Sequence, residues 1–211
     1  QKEAKQEELL NNTLVRENWE EYEQRTQNKA QYYKKSGEYN LQQPIVGGTK
    51  QPIPNDLSAL CFERAFNLTK EGSLVSLILP NVVFSGAMGK DLRMNLLKNN
   101  TVQSIVGFEN KGIFSQVHNQ FKFNITVFKA GGTTESVRGI GLQNNVDILR
   151  NISEHAIDIS KKILVKYSPE ARSFPNIRSK DELDVIEKIV QWPPIGEEHG
   201  DDWYADVYYE L

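Results

Sequence analysis

The chain has one cysteine, Cys61, three histidines and two methionines in 211 residues. A lone thiol excludes an intramolecular disulfide, and three scattered histidines provide no zinc-ligand spacing. No apolar run approaches the roughly 18 residues that span a bilayer. The opening Gln1-Lys-Glu-Ala-Lys-Gln-Glu-Glu is charged where a secretory leader is apolar. A basic excess is also lacking: 25 Lys and Arg against 28 Asp and Glu leave a formal net charge of -3. That balance argues against a free-standing nucleic-acid binder, because phosphate contacts call for clustered cations. These absences point to a metal-free, cytoplasmic protein with no membrane partner.

Several catalytic signatures are missing as well. There is no Walker loop, no Gly-x-Ser-x-Gly and no carboxylate cluster spaced like a nuclease metal site, so no catalytic or metal-ligating residue can be assigned. Gly139-Ile-Gly141 comes nearest to a dinucleotide fingerprint. Asn144 stands where the third glycine belongs, and no acidic residue follows at the distance a ribose requires. The acid-rich Glu197-Glu-His-Gly-Asp-Asp202 reads as an exposed loop.

What is present begins with a charged stretch. Residues 1 to about 35 carry a thin apolar stripe, Leu9, Leu10, Leu14, Val15, Trp19 and Tyr22, at near-helical spacing. One or two solvated helices are expected there. Three prolines and a Gly-Gly pair make Ser36 to Pro54 a loop. A helix capped at Asn55-Asp56 should follow, with Leu57, Leu60, Cys61, Ala65 and Leu68 on one face, Glu63 and Arg64 away from it, and Gly72 as its left-handed cap.

Leu74 to Leu79 is almost continuously apolar, which predicts a strand covered on both faces and stopped by Pro80. Gly89 to Asn99 is amphipathic and Val102 to Phe108 is a second strand. Phe121 to Phe128 alternates as a third. The loop of about twelve residues between the last two is too short for a parallel crossover, so the third strand should run antiparallel. Past Gly132 the pattern thins: short helices over 146–152 and 157–165, a connector at Phe174-Pro-Asn-Ile, a capped helix over 179–190 bearing Leu183, Ile186, Ile189 and Val190, and a strand at Trp203 to Leu211.

That order of elements predicts an α/β chain: the closing half of a class I, Rossmann-like S-adenosylmethionine methyltransferase sheet, its last strand inserted antiparallel and its faces flanked by helices. The organisation expected is a helical segment and loop (1–54), the second half of the methyltransferase sheet (55–132) and a helical linker toward a target-recognition domain absent from this sequence (133–211).

Particular blocks strengthen this. Tyr33-Lys-Lys-Ser-Gly-Glu-Tyr-Asn-Leu41, Asp56-Leu-Ser-Ala-Leu-Cys-Phe-Glu-Arg-Ala-Phe66 and Leu79-Pro-Asn-Val-Val-Phe-Ser-Gly86 resemble the adenine-N6 DNA methyltransferases fused into type IIG restriction-modification enzymes. Gly112 to Phe123 and Phe174 to Leu183 are similar to the same family, so the resemblance covers about residues 30 to 190. It implies a parent enzyme that uses S-adenosylmethionine, acts on duplex DNA and flips the target adenine onto aromatic rings for in-line methyl transfer.

In that family the cofactor loop and the Asn-Pro-Pro-aromatic motif precede these blocks, and neither occurs here. The resemblance therefore implies a bacterial fragment that is inactive alone and binds no cofactor by itself. It also implies roles for a few residues. Leu57 and Cys61, at the start of the helix after the catalytic motif, would line the cofactor's adenine pocket, although an aromatic is common where Cys61 stands. Phe123 matches best the aromatic set against the flipped base, with Phe128 as the alternative. A sheet lacking its first strands should expose an apolar edge near Leu74 to Leu79 and could form a homodimer through it. The rival reading is a non-catalytic α/β protein-interaction or specificity module that binds a partner through residues 1 to 35.

Overall fold

The computed structural model describes residues 2–50 and 56–193. Two helices, α1 (Lys2–Leu10) and α2 (Thr13–Lys35), are joined at Asn11 and Asn12. The Asn12 side chain caps α2 by accepting from the Leu14 and Val15 N–H groups at 3.1 and 3.4 Å. No residue of α2 is buried, as its thin stripe foretold. The following loop contains a small hairpin, β1 (Ile45–Val46) and β2 (Thr49–Lys50), turned by Gly47 and Gly48 at φ +57° and +72°. A two-residue turn of this hand needs residues that tolerate positive φ at both positions.

Helix α3 (Leu57–Leu68) starts where expected, with the Asp56 carboxylate accepting from the Ser58 and Ala59 N–H groups at 2.8 and 3.3 Å. Its buried face differs from the expected one. Ala59, Leu60, Phe62 and Glu63 are inside, while Leu57 and Leu68 are 69% and 70% exposed. The aromatics decide the rotation: Phe62 and Phe66 pack against Phe128 with ring centroids at 6.2 and 5.4 Å. Glu63 follows Phe62 inside because its carboxylate accepts from the backbone of Asn40 (2.5 Å) and Leu41 (2.9 Å) and from Gln42 Nε2 (2.6 Å). Gly72 has positive φ but lies beyond the helix end at Thr69, in the turn whose Gly72 N–H donates to Ala130 O at 2.8 Å.

The main sheet comprises β3 (Leu74–Pro80), β4 (Asn100–Glu109), β5 (Lys122–Ala130), β6 (Ser136–Gln143) and β7 (Ile157–Ser160), in the order β3-β5-β4-β6-β7. Strand β5 pairs antiparallel with both β3 and β4, as predicted from the short loop before it. β6 pairs parallel with β4 and antiparallel with β7. The expectation that β3 is covered on both faces does not hold among the described residues. β3 is an edge strand with Leu74 and Ile78 69% and 58% exposed, whereas Leu79 is buried.

Strand β6 falls in a stretch of the expected helical linker for which no element was predicted, and β7 opens the stretch 157–165 expected as a helix. A strand with two glycines scores poorly on β-propensity, yet both glycines are required. A Cβ on Gly139 would lie 2.3 Å from Ile105 O, and one on Gly141 3.0 Å from the Asn176 backbone. The remaining helices are α4 (Val82–Ser85), α5 (Lys90–Asn99), α6 (Ile152–His155), α7 (Lys161–Tyr167) and α8 (Lys180–Ile189). α5 and the Ser179-capped α8 match expectation; residues 146–151 form a 3-10 turn. The terminal strand expected at Trp203 to Leu211 and the acidic loop at 197–202 lie outside the described residues.

Each face of the sheet has its own core. On one, Phe62, Phe84, Leu92, Leu96, Phe128, Leu164 and Ile177 pack together; on the other, Val106, Phe108, Phe123 and Ile140 do. Burying each such side chain is worth about 1.5–3 kcal/mol. Arg93, fully buried on α5, ties the first face to the segment after α7. Its guanidinium donates to Val83 O (2.6 Å), to Arg172 O (2.9 Å) and to Ala171 O.

Candidate functional site

Both β3 and β4 run opposite to β5, so they are parallel to each other and end at the same margin. In open α/β sheets ligands bind beyond the carboxyl ends of parallel strands, which makes that margin the place to look. The register sets Pro80 of β3, Phe123 of β5 and Phe108 of β4 side by side, and Leu79, Asn124 and Gly107 in the row below.

Three asparagines organise this margin. The Asn81 N–H donates to Lys122 O at 2.9 Å, and its side-chain oxygen accepts from Asn124 Nδ2 at 3.0 Å. Gly107 gives Asn124 its room, since a Cβ there would lie 2.9 Å from Asn124 Oδ1. Asn110, fully buried, gathers the loop between β4 and β5. Its Oδ1 accepts from the Phe114 N–H at 2.7 Å, and its Nδ2 donates to Phe114 O and Val117 O at 2.9 and 2.7 Å. The loop so held presents Phe114, Val117 and Phe121 to solvent, 40%, 36% and 44% exposed.

Phe123 stands at this margin but is not open. Its ring stacks on Phe108 (5.3 Å, 13°), meets Phe114 edge-on (5.1 Å, 63°) and is 4% exposed. Phe128 is fully buried on the opposite face, against Phe62 and Phe66. The structure therefore separates the two candidate base contacts: one lies at the carboxyl margin, the other in the core under α3. Leu57 and Cys61 are both exposed, one turn apart on the outer side of α3. Close to the start of α3, a cavity of about 50 Å³ is lined by Asp56, Ala59, Val82, Val83, Met88 and Leu92.

The segment after α7 is strapped along the same margin. Phe174 N–H donates to Phe84 O at 2.9 Å, Gly141 N–H donates to Ile177 O at 2.6 Å, and the Ser173 hydroxyl donates to Ser85 O at 2.9 Å. Beneath it remains a void of only about 30 Å³, bordered by Asn81, Asn124, Gly139 and Asn176, which is room for about one water. A much larger depression, about 620 Å³, is lined by residues of α1 and α2 alone, among them Leu9, Val15, Trp19 and Tyr22. Among the described residues no group of three or more His, Cys, Asp or Glu could hold a metal, and no helix is long and apolar enough to cross a membrane.

Sequence reasoning missed Asn81, Asn110, Asn124 and Arg93. Asn110 had a legible signal, since it stands between a strand and Gly112, where a turn-forming side chain is common.

A strand inserted antiparallel between two parallel neighbours, with a crossover through helices α4 and α5, defines the class I S-adenosylmethionine methyltransferase sheet. The EcoKI M protein of a type I restriction enzyme shares this fold: TM-score 0.50 at 12% identity, over 69% of this chain and 43% of that one. Two other solved structures resemble the chain. A modification subunit of a putative type I restriction enzyme from Vibrio vulnificus YJ016 is 16% identical, with a TM-score of 0.47 over 67% of this chain and 38% of its own. The type IIG restriction endonuclease BpuSI is 15% identical, with a TM-score of 0.43 over 63% of this chain and 16% of its own. The chain thus spans less than half the length of each.

Residues 17–114 match the family described as Eco57I restriction-modification methylase. The resemblance read from the blocks between Tyr33 and Gly86 is borne out by this match, which makes that part of the chain restriction-modification methylase-like; the blocks at 112–123 and 174–183 fall almost wholly beyond it. No curated protein matches it.

Proposed function

We propose that these residues form the closing half of the catalytic sheet of a DNA adenine-N6 methyltransferase belonging to a restriction-modification enzyme. The observation that carries the reading is the β3-β5-β4 arrangement with its asparagine-lined carboxyl margin, whose β3, β4, Asn81 and Asn110 lie within the stretch that matches the Eco57I methylase family while β5 and Asn124 follow it. The parent's cofactor in this reading is S-adenosylmethionine, which supplies an electrophilic methyl group, and its substrate is duplex DNA. Leu57 and Cys61 fit one wall of an adenine pocket, being uncharged, exposed and on one side of α3. They offer no partner for a sulfonium or a carboxylate.

Phe123 is the better of the two base contacts because it stands at the carboxyl margin, whereas Phe128 is walled in by Phe62 and Phe66. To expose a ring face, Phe123 has to lose its contact with Phe114, which the exposed loop allows. The 211 residues contain neither the glycine-rich cofactor loop nor an Asn-Pro-Pro-aromatic motif, so in this reading they transfer no methyl group alone, and positioning is most of what such a catalyst contributes.

The test is to express the polypeptide of the whole reading frame that encodes this chain, incubate it with S-adenosylmethionine and duplex DNA, and digest the DNA for mass spectrometry. N6-methyladenine is expected from the whole polypeptide and none from the 211 residues. Methylcytosine, or turnover by the 211 residues alone, sinks the reading. The interaction-module alternative draws on a single observation, the 23-residue α2 without one buried side chain.

A further inference from the structure

Charge on the α1–α2 hairpin is segregated. Residues 2–23 hold seven glutamates against Lys2, Lys5 and Arg16, whereas residues 25–35 hold Arg25, Lys29, Lys34 and Lys35 with no acidic residue. The net charge of the whole chain, -3, conceals this local excess. None of the four cations makes an ion pair among the described residues; the nearby Arg64 is instead neutralised by Glu38 at 2.8 Å.

Three tyrosines gather at the end of the basic half. Tyr33 and Tyr39 meet edge-on at 5.3 Å and 88°, Tyr32 and Tyr33 at 5.8 Å and 65°, and Tyr32 and Tyr39 at 6.3 Å and 74°. Together with Arg25, Asn28 and Lys29 they border an open groove of about 630 Å³, with Glu21 and Gln24 at its acidic end. Arg25, Lys29 and Tyr32 follow one another at spacings of four and three, so they share a face of α2. From Arg25 to Lys35 the helix rises about 15 Å, and one DNA strand presents a phosphate about every 3.4 Å along the axis.

We propose that the carboxyl-terminal half of α2, with Tyr39, is a contact surface for the backbone of duplex DNA: Arg25, Lys29 and Lys35 neutralise phosphates, and the tyrosine hydroxyls donate to phosphate oxygens. This rests on the methyltransferase reading and adds where the chain touches its substrate. The contact is sequence-independent, because nothing in it reaches into a groove to read base edges. The glutamates of α1 and the first half of α2 repel phosphate and set one end of the footprint.

The test is fluorescence anisotropy of a labelled duplex of about 20 base pairs titrated with the 211-residue chain, between about 50 and 200 mM salt. The unaltered chain should bind, with log affinity falling against log salt at a slope of about -2 to -4. R25E/K29E/K35E should lose at least about tenfold in affinity and flatten the slope by about 2. K98E/K166E/K188E, matched in charge and exposed elsewhere, should stay within about twofold, and far-UV circular dichroism should match for all three proteins. Replacing Tyr32, Tyr33 and Tyr39 by Phe should weaken binding while leaving the slope unchanged. Absence of duplex binding, equal loss in the two charge variants, or tighter binding to a single strand of the same sequence overturns the assignment. The methyltransferase reading stands or falls separately, on whether the whole polypeptide forms N6-methyladenine.

Discussion

At Arg93 a guanidinium is sealed from water and held by the carbonyls of Val83, Ala171 and Arg172, with no ion pair among the described residues. Burial lowers its pKa from the ordinary arginine value to about 10. Replacing it with Met leaves those carbonyls without donors while removing a buried charge, so Arg93→Met should cost about 2–4 kcal/mol in urea unfolding. The folded pKa lies below the unfolded one, so this group adds stability only as pH rises above about 10 toward the ordinary arginine value, where the buried charge is discharged. The wild-type-to-mutant gap should therefore be flat between about pH 6 and 9, and a gap that varies there would contradict the assignment. Glu63 is the acidic counterpart, taking up the Asn40 and Leu41 N–H groups and Gln42 Nε2. Glu63→Gln turns part of that acceptor into a donor facing donors, and should lower stability by about 1–3 kcal/mol in the same assay. Both residues were hard to read in the sequence for one reason. A charged side chain beside apolar neighbours reads as solvated until the backbone groups that satisfy it, which come from segments far away in the chain, are known.

Elements were legible where local signals agreed and illegible where a distant contact chose between options. The cap of α3 and the direction of β5 came from Asp56 and from a short loop, both local. The rotation of α3 did not, because it is set by Phe128, some sixty positions further on. Strand β6 was hidden by Gly139 and Gly141, whose purpose appears only once β4 and the 174–177 segment lie against them. Gly139→Ala should destabilise by more than about 3 kcal/mol or abolish folding, since its Cβ would strike Ile105 O. Gly112→Ala, at φ +91° in open space, should cost only about 1 kcal/mol. Equal effects of the two in thermal unfolding would refute this account of β6. The loop clamp gives another test. Asn110→Ala removes the bonds that gather residues 114–118, and limited proteolysis should then cut that loop faster, with a stability loss of about 1–3 kcal/mol.

Across the whole molecule, β3 leaves its outer backbone unpaired among the described residues and shows Leu74 and Ile78 to solvent. Such an edge invites strand addition. The chain alone should self-associate with rising concentration in sedimentation velocity, and Ile78→Lys should suppress this; a monomer throughout would speak against the edge as an association surface. The fold class was readable because the order of strand, crossover and short loop fixes the β3-β5-β4 arrangement, with few alternatives once β5 is antiparallel. The candidate site was less so. The sequence singled out Leu57, Cys61, Phe123 and Phe128, but the carboxyl margin is shaped by Asn81, Asn110 and Asn124, whose roles depend on pairing between strands.

The insertion of β5 between β3 and β4 also bears on how the chain is made. Strand β3 is finished at Pro80, but its partner begins only at Lys122, about 42 positions later. At about 5–20 residues per second, a ribosome takes roughly 2–8 s to supply those positions, and β5 must itself be complete before the ladder closes. Throughout that interval the nascent Leu74-Val-Ser-Leu-Ile-Leu79 has no strand within the described residues to pair with. The order of emergence therefore makes this stretch a natural target for holdase chaperones, and slow codons placed between Pro80 and Lys122 should lower soluble yield more than the same codons placed after Ala130.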